Sequence, residues 1–232
     1  MDYLLIVLLA VLLGALAFTL FVATRRRDLS AAVNALVSFA IALLSLPLAA
    51  GFQMPWGHPF LTPALPIWVT VAGLLHSVGM LGPYDTRWWW DHLTHTVSAM
   101  LVAALVYAGL IVAGASGATP PLSRATIAGA TVIYTMAIGI FWELIELVAR
   151  AVGERYDVEP MLVHYGWRDT ALDLVFDLVG AVLVVALDLR IFVDLAAHAP
   201  TVTRLLVGLA GTVITVGSAL MALLLGVASL QP

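Results

Sequence analysis

Apolar segments about as long as a transmembrane helix recur along nearly the whole chain, and they constrain its fold more than any other feature. A spanning helix needs about 20 mostly apolar residues, because the hydrocarbon core of a bilayer is about 30 Å thick. The segments that fit are residues 3–23, 29–50, 66–82, 92–114, 124–150, 170–193 and 204–230. The sequence therefore predicts an all-α fold, a polytopic transmembrane bundle of about seven helices that makes residues 1–232 a single domain.

The composition agrees with a lipid-embedded protein and excludes several classes of function. Hydrophobic residues make up 62% of the 232 residues and charged residues 10%, which leaves more apolar surface than one soluble core could bury. The net charge of −4 and the absence of a basic patch argue against a nucleic-acid partner. The chain has no cysteine, which rules out thiolate nucleophiles, iron–sulfur clusters and cysteine-ligated zinc.

The distribution of arginine predicts the orientation in the membrane. Asp2 precedes the first apolar segment and Arg25, Arg26 and Arg27 follow it, so we expect a signal anchor with its N-terminus outside rather than a cleaved signal peptide. On that topology the cytoplasmic loops hold seven arginines and the outer loops three, in agreement with the positive-inside rule. The C-terminus is then cytoplasmic, and we expect a multi-pass protein of the cell membrane.

Ionisable residues inside three of the apolar segments, or directly before them, are the main functional signal. A charged side chain costs at least about 2–3 kcal/mol at the bilayer centre, so those that occur there usually face the bundle interior. The sets are Asp91 with His95, Glu143 with Glu146, and Asp169 with Asp173 and Asp177. Their spacings of three or four residues put each set on one face of its helix. Because all three faces lie within about 10 Å of the predicted cytoplasmic boundary, the sequence predicts one buried acidic and histidine site.

This combination of residues favours a metal site. Neighbouring carboxylates cannot all remain ionised in a low-dielectric site without compensation, so bound protons or a bound cation are expected. Carboxylates together with imidazole suit a divalent metal such as Zn²⁺, Mn²⁺ or Fe²⁺, and a metal-bound hydroxide could act on a lipid or another membrane-soluble substrate. The candidate ligands are Asp91, His95, Glu143, Glu146, Asp173 and Asp177. Asp169 or His92 is the candidate catalytic acid or base.

Two other functions use the same residues. Chains of Asp, Glu and His carry protons in pumps and transporters, so proton- or ion-coupled transport is one alternative, although paired repeats and broken helices are absent from the sequence. A structural ion-pair network is the other, in which Arg150 would pair with Glu146 and Arg168 with Asp169. We expect His76, in the third segment, to be a hydrogen-bonded residue of helix packing.

Short motifs along residues 88–186 carry a family resemblance. They are Asp91 and His95 opening one helix, Trp142, Glu143 and Glu146 closing the next, and Asp173, Asp177, Gly180 and Ala181 in a third. In these motifs the chain resembles an uncharacterised family of bacterial and archaeal membrane proteins, the group that includes YjdF. Its arginine-only, alanine-rich composition is similar to that of halophilic archaeal members. The resemblance implies that the acidic and histidine positions form one unit, and it implies no particular activity.

Overall fold

The computed structural model describes residues 3–49, 63–115, 122–157, 162 and 166–228. Within these residues every regular element is a helix, which confirms the all-α prediction. The helices are α1 Tyr3–Arg26, α2 Leu29–Ala49, α3 Ala64–Met80, α4 Pro83–Thr86, α5 Trp88–Ala115, α6 Arg124–Tyr156, α7 Trp167–Ala186, α8 Val193–His198 and α9 Pro200–Ala228. The predicted segment ends at residues 50 and 230 lie outside the described residues.

Five of these helices, α1, α2, α5, α6 and α9, are long and apolar enough to cross a membrane. Helix α3 has 17 residues and so is about 26 Å long, slightly less than the hydrocarbon core. Helix α7 has 20 residues but includes three aspartates. The structure therefore contains several helices of membrane-spanning length. The count of seven spans and the outside location of the N-terminus stay predictions.

The sixth predicted segment, residues 170–193, is wrong at its C-terminal end. Helix α7 stops at Ala186, seven residues earlier, and a turn leads to the short helix α8. Asp188 in this turn has a left-handed backbone conformation, with φ of 51°. L-amino acids rarely adopt the left-handed conformation, and Asp is one of the few that do so readily. Hydropathy alone does not register the break, because the residues around Asp188, other than Arg190, are apolar.

The described helices fall into two compact units, Met1–Thr94 and His95–Pro232, whose boundary lies inside the continuous helix α5. The prediction of a single domain stays a prediction. In the first unit, α1, α2 and α3 pack together. His76 of α3 contacts Asn34 Oδ1 through Nε2 at 3.1 Å and the Tyr84 hydroxyl through Nδ1 at 2.9 Å. These two hydrogen bonds confirm the predicted packing role of His76.

The second unit is built around α6, which packs against both α7 and α9. The Tyr134 hydroxyl of α6 donates to the backbone oxygen of Val207 in α9 at 2.6 Å. Helix α7 also approaches α5 closely at Gly180, where a β-carbon would lie only 2.6 Å from the backbone oxygen of Thr96. Glycine is needed at that crossing because the obstacle is backbone, which cannot move aside as a flexible side chain can.

Asp188 connects three parts of the second unit. Its Oδ1 accepts a hydrogen bond from the buried Tyr107 hydroxyl of α5 at 2.6 Å and another from Arg190 Nε at 3.0 Å. Its Oδ2 lies 3.3 Å from Nη2 of Arg124, the first residue of α6. The hydrogen bond from Tyr107, followed by that from Arg190, holds the pKa of the Asp188 carboxyl below its usual value.

This lowered pKa predicts acid sensitivity. A carboxyl whose pKa is lower in the folded state than in the unfolded state stabilises the fold above the unfolded value, about 3.9, and that stabilisation is lost as the pH falls through the folded pKa. We expect the Asp188→Asn variant to unfold at a lower temperature than the wild type at pH 7. The difference should shrink as thermal unfolding is repeated below about pH 4. A difference that stays constant down to pH 2.5, about 1.4 pH units below the unfolded pKa, would contradict this assignment.

Candidate functional site

His95 of α5 lies between two carboxyl groups of α7. Its Nδ1 is 3.2 Å from Asp177 Oδ1, and its Nε2 is 3.9 Å from Asp173 Oδ1. The side chains of Asp173, Asp177 and His95 are only 3%, 8% and 13% exposed. The two aspartates are four residues apart and so lie on one face of α7, as the sequence predicted. The structure thus brings together three of the predicted ligands, from two helices, in a buried setting.

Gly139 of α6 provides the space for Asp177. A β-carbon at position 139 would collide with Asp177 Oδ2 and would lie 3.3 Å from a methyl group of Leu174. Residue 139 is itself buried, so α6 forms the wall against which the Asp177 carboxyl packs. Sequence reasoning missed this glycine, because its importance comes from a contact with a helix nearly forty residues further along the chain.

Glu143 lies on the same wall of α6. It is four residues after Gly139, so both occupy one face of the helix, and the Glu143 side chain is buried. Helix α6 runs antiparallel to α7, since Arg124 contacts Asp188 whereas Gly139 is adjacent to Asp177. One turn from Gly139 along α6 therefore corresponds to one turn back from Asp177 along α7. This register puts Glu143 level with Asp173.

Asp91 adds a further carboxyl group. Because α5 is one continuous helix, Asp91 lies one turn before His95 on the same face. It provides, with His95 and Asp173, an Asp/His/Asp set of candidate metal ligands. His95 Nε2 and Asp173 Oδ1 are 3.9 Å apart, which is less than two metal–ligand bonds of about 2.0–2.2 Å placed end to end. One ion could therefore contact both atoms.

Glu146 is held differently from the other predicted ligands. Its Oε1 accepts a hydrogen bond from the Trp142 indole, one turn earlier on α6, at 2.8 Å. Three residues of an α-helix turn the side chain about 60° away from that of Glu143, and Trp142 is exposed. The structure therefore places Glu146 beside the Trp142 indole, and its role as a metal ligand stays a prediction.

The arginine pairs expected of a structural network are not the ones formed. Arg150 Nε donates to Glu154 at 2.8 Å on the exposed end of α6, rather than to Glu146. The Arg168 guanidinium lies over the Trp167 ring, 5.5 Å from its centroid, rather than against Asp169. Asp173 and Asp177 both approach His95.

Each of the two candidate acid–base residues lies in the N-terminal part of its own helix. Asp169 is in the first turn of α7, one turn before Asp173, and is half-buried. His92 of α5 packs edge-on against the Trp88 ring, with the ring centroids 6.0 Å apart. Their catalytic roles stay predictions.

Substitution of Gly139 tests the packing of the site. We expect Gly139→Ala to displace Asp177, to break its hydrogen bond with His95 and to lower stability by about 1–3 kcal/mol, the usual cost of overpacking. Gly129→Ala, on the same helix, is the matched control. A β-carbon at position 129 would have no neighbouring atom within 4 Å. Thermal unfolding reports stability, and the imidazole N–H resonance of His95 reports the hydrogen bond. If both variants retain the wild-type resonance, the contact between Gly139 and Asp177 does not shape the site.

Comparison with known proteins identifies one family. Residues 4–194 match the family described as "Predicted membrane protein (DUF2238)", a range that includes every candidate site residue. Neither the curated proteins nor the solved structures include a significant match to the chain.

Proposed function

Because the chain belongs to the DUF2238 family of predicted membrane proteins, we propose a function carried out within the membrane, the binding of a divalent metal ion by His95, Asp173 and Asp91. The observation that carries this proposal is the approach of His95 Nε2 to Asp173 Oδ1 at 3.9 Å, with both side chains largely buried. Imidazole and carboxylate are ligands that suit Zn²⁺, Mn²⁺ and Fe²⁺.

The contact between His95 and Asp177 supports the same proposal. If the imidazole is neutral and Asp177 is ionised, Nδ1 of His95 is the donor in their 3.2 Å contact, because a carboxylate oxygen only accepts hydrogen bonds. The lone pair is then on Nε2, the nitrogen that faces Asp173. Histidines that bind metals in proteins usually donate their other ring N–H to a carboxylate or carbonyl group in this way. In the proposal Asp177 orients His95 and is not itself a ligand.

The remaining acidic residues suggest what the metal would be used for. A bound divalent ion lowers the pKa of a coordinated water to about 7 and so supplies hydroxide at neutral pH. Glu143, level with Asp173 on α6, is available as a further ligand or as a general base, and Asp169 or His92 as an acid–base group. We infer metal-assisted chemistry on a membrane-soluble substrate in the cell membrane, in a protein related to YjdF.

Metal content tests the proposal directly. Purified without chelators and reconstituted with Zn²⁺, Mn²⁺ or Fe²⁺, the wild type should hold a stoichiometric ion by elemental mass spectrometry. His95→Ala and Asp173→Ala should lose it, because each removes a ligand. Asp177→Asn should weaken binding by about 10–100-fold, as is usual for groups that orient a ligand. Glu154→Ala, which alters only an exposed ion pair with Arg150, is the control and should retain the ion.

Two results would contradict this function. Metal retained by both His95→Ala and Asp173→Ala would place the ion elsewhere. Absence of metal from the wild type under all three reconstitutions would favour proton- or ion-coupled transport through the same carboxyl groups. Flux into liposomes would then depend on an ion gradient, and Glu143→Gln would abolish that dependence.

A further inference from the structure

Two arginines at one end of the second unit contact the two oxygens of a single carboxylate. Arg190 Nε donates to Asp188 Oδ1 at 3.0 Å, and Arg124 Nη2 lies 3.3 Å from Asp188 Oδ2. The Tyr107 hydroxyl also donates to Asp188 Oδ1, at 2.6 Å. These four residues, which we call the Asp188 cluster, belong to α5, α6 and the turn that follows α7. Asp188 therefore holds the two guanidinium groups near each other where three helices meet.

The two guanidinium groups present further donors to their surroundings. A guanidinium group has five N–H donors, and each of these arginines contacts Asp188 through one of its three nitrogens. The side chains of Arg124 and Arg190 are 69% and 54% exposed, whereas that of Asp188 is 30% exposed. The outward-facing N–H groups are therefore accessible to a ligand.

The charge and the spacing of the Asp188 cluster fit one phosphate group. Two guanidinium groups and one carboxylate leave a single uncompensated positive charge, which matches the one negative charge of a phosphodiester. Because the two carboxylate oxygens are about 2.2 Å apart, the contacts with Asp188 limit the distance between Arg124 Nη2 and Arg190 Nε to about 8.5 Å. Two oxygens of one phosphate, each accepting a hydrogen bond of about 2.8 Å, span a similar distance. Both arginines can therefore contact the same phosphate.

The Asp188 cluster lies at helix ends, where a membrane-spanning helix meets the lipid headgroups. Arg124 is the first residue of α6, which is long and apolar enough to cross a membrane. Asp188 and Arg190 closely follow Ala186, the last residue of α7. Arginines near the ends of spanning helices extend their charged groups to the membrane interface. Phospholipid phosphates are the anions available at that level.

We propose that Arg124 and Arg190 bind the phosphate group of a membrane phospholipid. The phosphate oxygens accept hydrogen bonds from the outward N–H groups of both arginines, and Asp188 positions the two guanidinium groups. The acyl chains lie against exposed apolar side chains next to the cluster, Leu187 and Ile191. This site goes beyond the proposed function and does not depend on metal binding at His95. Inorganic phosphate offers the same chemistry, so the test separates the two sources.

Arg204 of α9 provides a matched control. Helix α9 runs parallel to α6, since its glycines meet the aromatic rings of α6 in the same order along both helices, Gly211 with Tyr134 and Gly217 with Phe141. Counted back from these contacts, Arg204 lies within about 5 Å of the level of Arg124 along the helix axis. Arg204 donates to Thr201, whereas the ion pairs of Asp188 are with Arg124 and Arg190. Replacing Arg204 therefore removes the same charge at the same level without altering those ion pairs.

The test is native mass spectrometry of the full chain in nonionic detergent with increasing amounts of dioleoyl phosphatidylglycerol. Dioleoylglycerol, which has the same acyl chains and no phosphate, measures binding of the chains alone. The wild type should bind the phospholipid more tightly than dioleoylglycerol. Arg124→Gln and Arg190→Gln should each weaken phospholipid binding by about tenfold, because each removes charged hydrogen bonds to the phosphate. Arg204→Gln should retain the wild-type affinity.

Two further measurements complete the test. Loss of an ion pair with Asp188 lowers stability, so Arg124→Lys and Arg190→Lys, which keep the charge, are measured as well. Both should bind the phospholipid more weakly than the wild type, because an ammonium group cannot form two parallel hydrogen bonds with phosphate. Inorganic phosphate at the concentration of the lipid should not displace it, because the free anion lacks the contacts of the acyl chains.

Four results would overturn the proposal. Equal binding of phospholipid and dioleoylglycerol by the wild type would show that the phosphate is not recognised. Wild-type affinity in the glutamine and lysine variants of Arg124 and Arg190 would place the lipid elsewhere. An equal loss in Arg204→Gln would reduce the effect to general charge attraction. Displacement of the lipid by inorganic phosphate would identify the free anion as the ligand.

Discussion

The burial of carboxyl groups in an apolar helix is the constraint on which the second unit of the protein depends. Removing a carboxylate from water is costly unless a charged or hydrogen-bonding partner compensates it. Asp173 and Asp177 have less than a tenth of their side chains exposed, and both approach His95. A neutral imidazole donates a hydrogen bond from one nitrogen only, here to Asp177, so in the proposed site the bound metal ion compensates the carboxylate of Asp173.

This arrangement requires three helices to approach closely. Gly180 lets α7 approach the backbone of α5, and Gly139 lets α6 approach the Asp177 carboxyl. Two side-chain hydrogen bonds, from His95 to Asp177 and from Tyr107 to Asp188, join α5 to α7. At the rise of an α-helix, His95 and Tyr107 are about 18 Å apart along α5, and Asp177 and Asp188 are about 16 Å apart along α7 and the turn that follows it. The similar spacing shows that α5 and α7 run parallel and are joined at both ends, with the acidic site at one end and the Asp188 cluster at the other.

The sequence predicts part of this arrangement and misses the rest for physical reasons. The four-residue spacing of Asp173 and Asp177 predicts that they share a face, and the structure confirms that His95 meets them there. Glu146 lies about 60° around the helix from Glu143 and accepts a hydrogen bond from Trp142, and its role as a metal ligand stays a prediction. The roles of Gly139 and Tyr107 depend on helices distant in sequence, and no periodicity in one segment reveals such contacts. The turn at Asp188 is not visible in the sequence because its neighbours, other than Arg190, are apolar residues typical of a spanning helix.

The central claim is that His95 binds a metal through Nε2, and electron spin-echo spectroscopy of the Mn²⁺-loaded protein tests it most directly. The technique detects magnetic coupling between the ion and a nitrogen nucleus bound to it. We expect coupling to one imidazole nitrogen in the wild type and in His198→Ala, which alters an exposed histidine of α8, and loss of that coupling in His95→Ala. A Mn²⁺-loaded wild type without nitrogen coupling, or a coupling unchanged in His95→Ala, would show that His95 does not bind the metal.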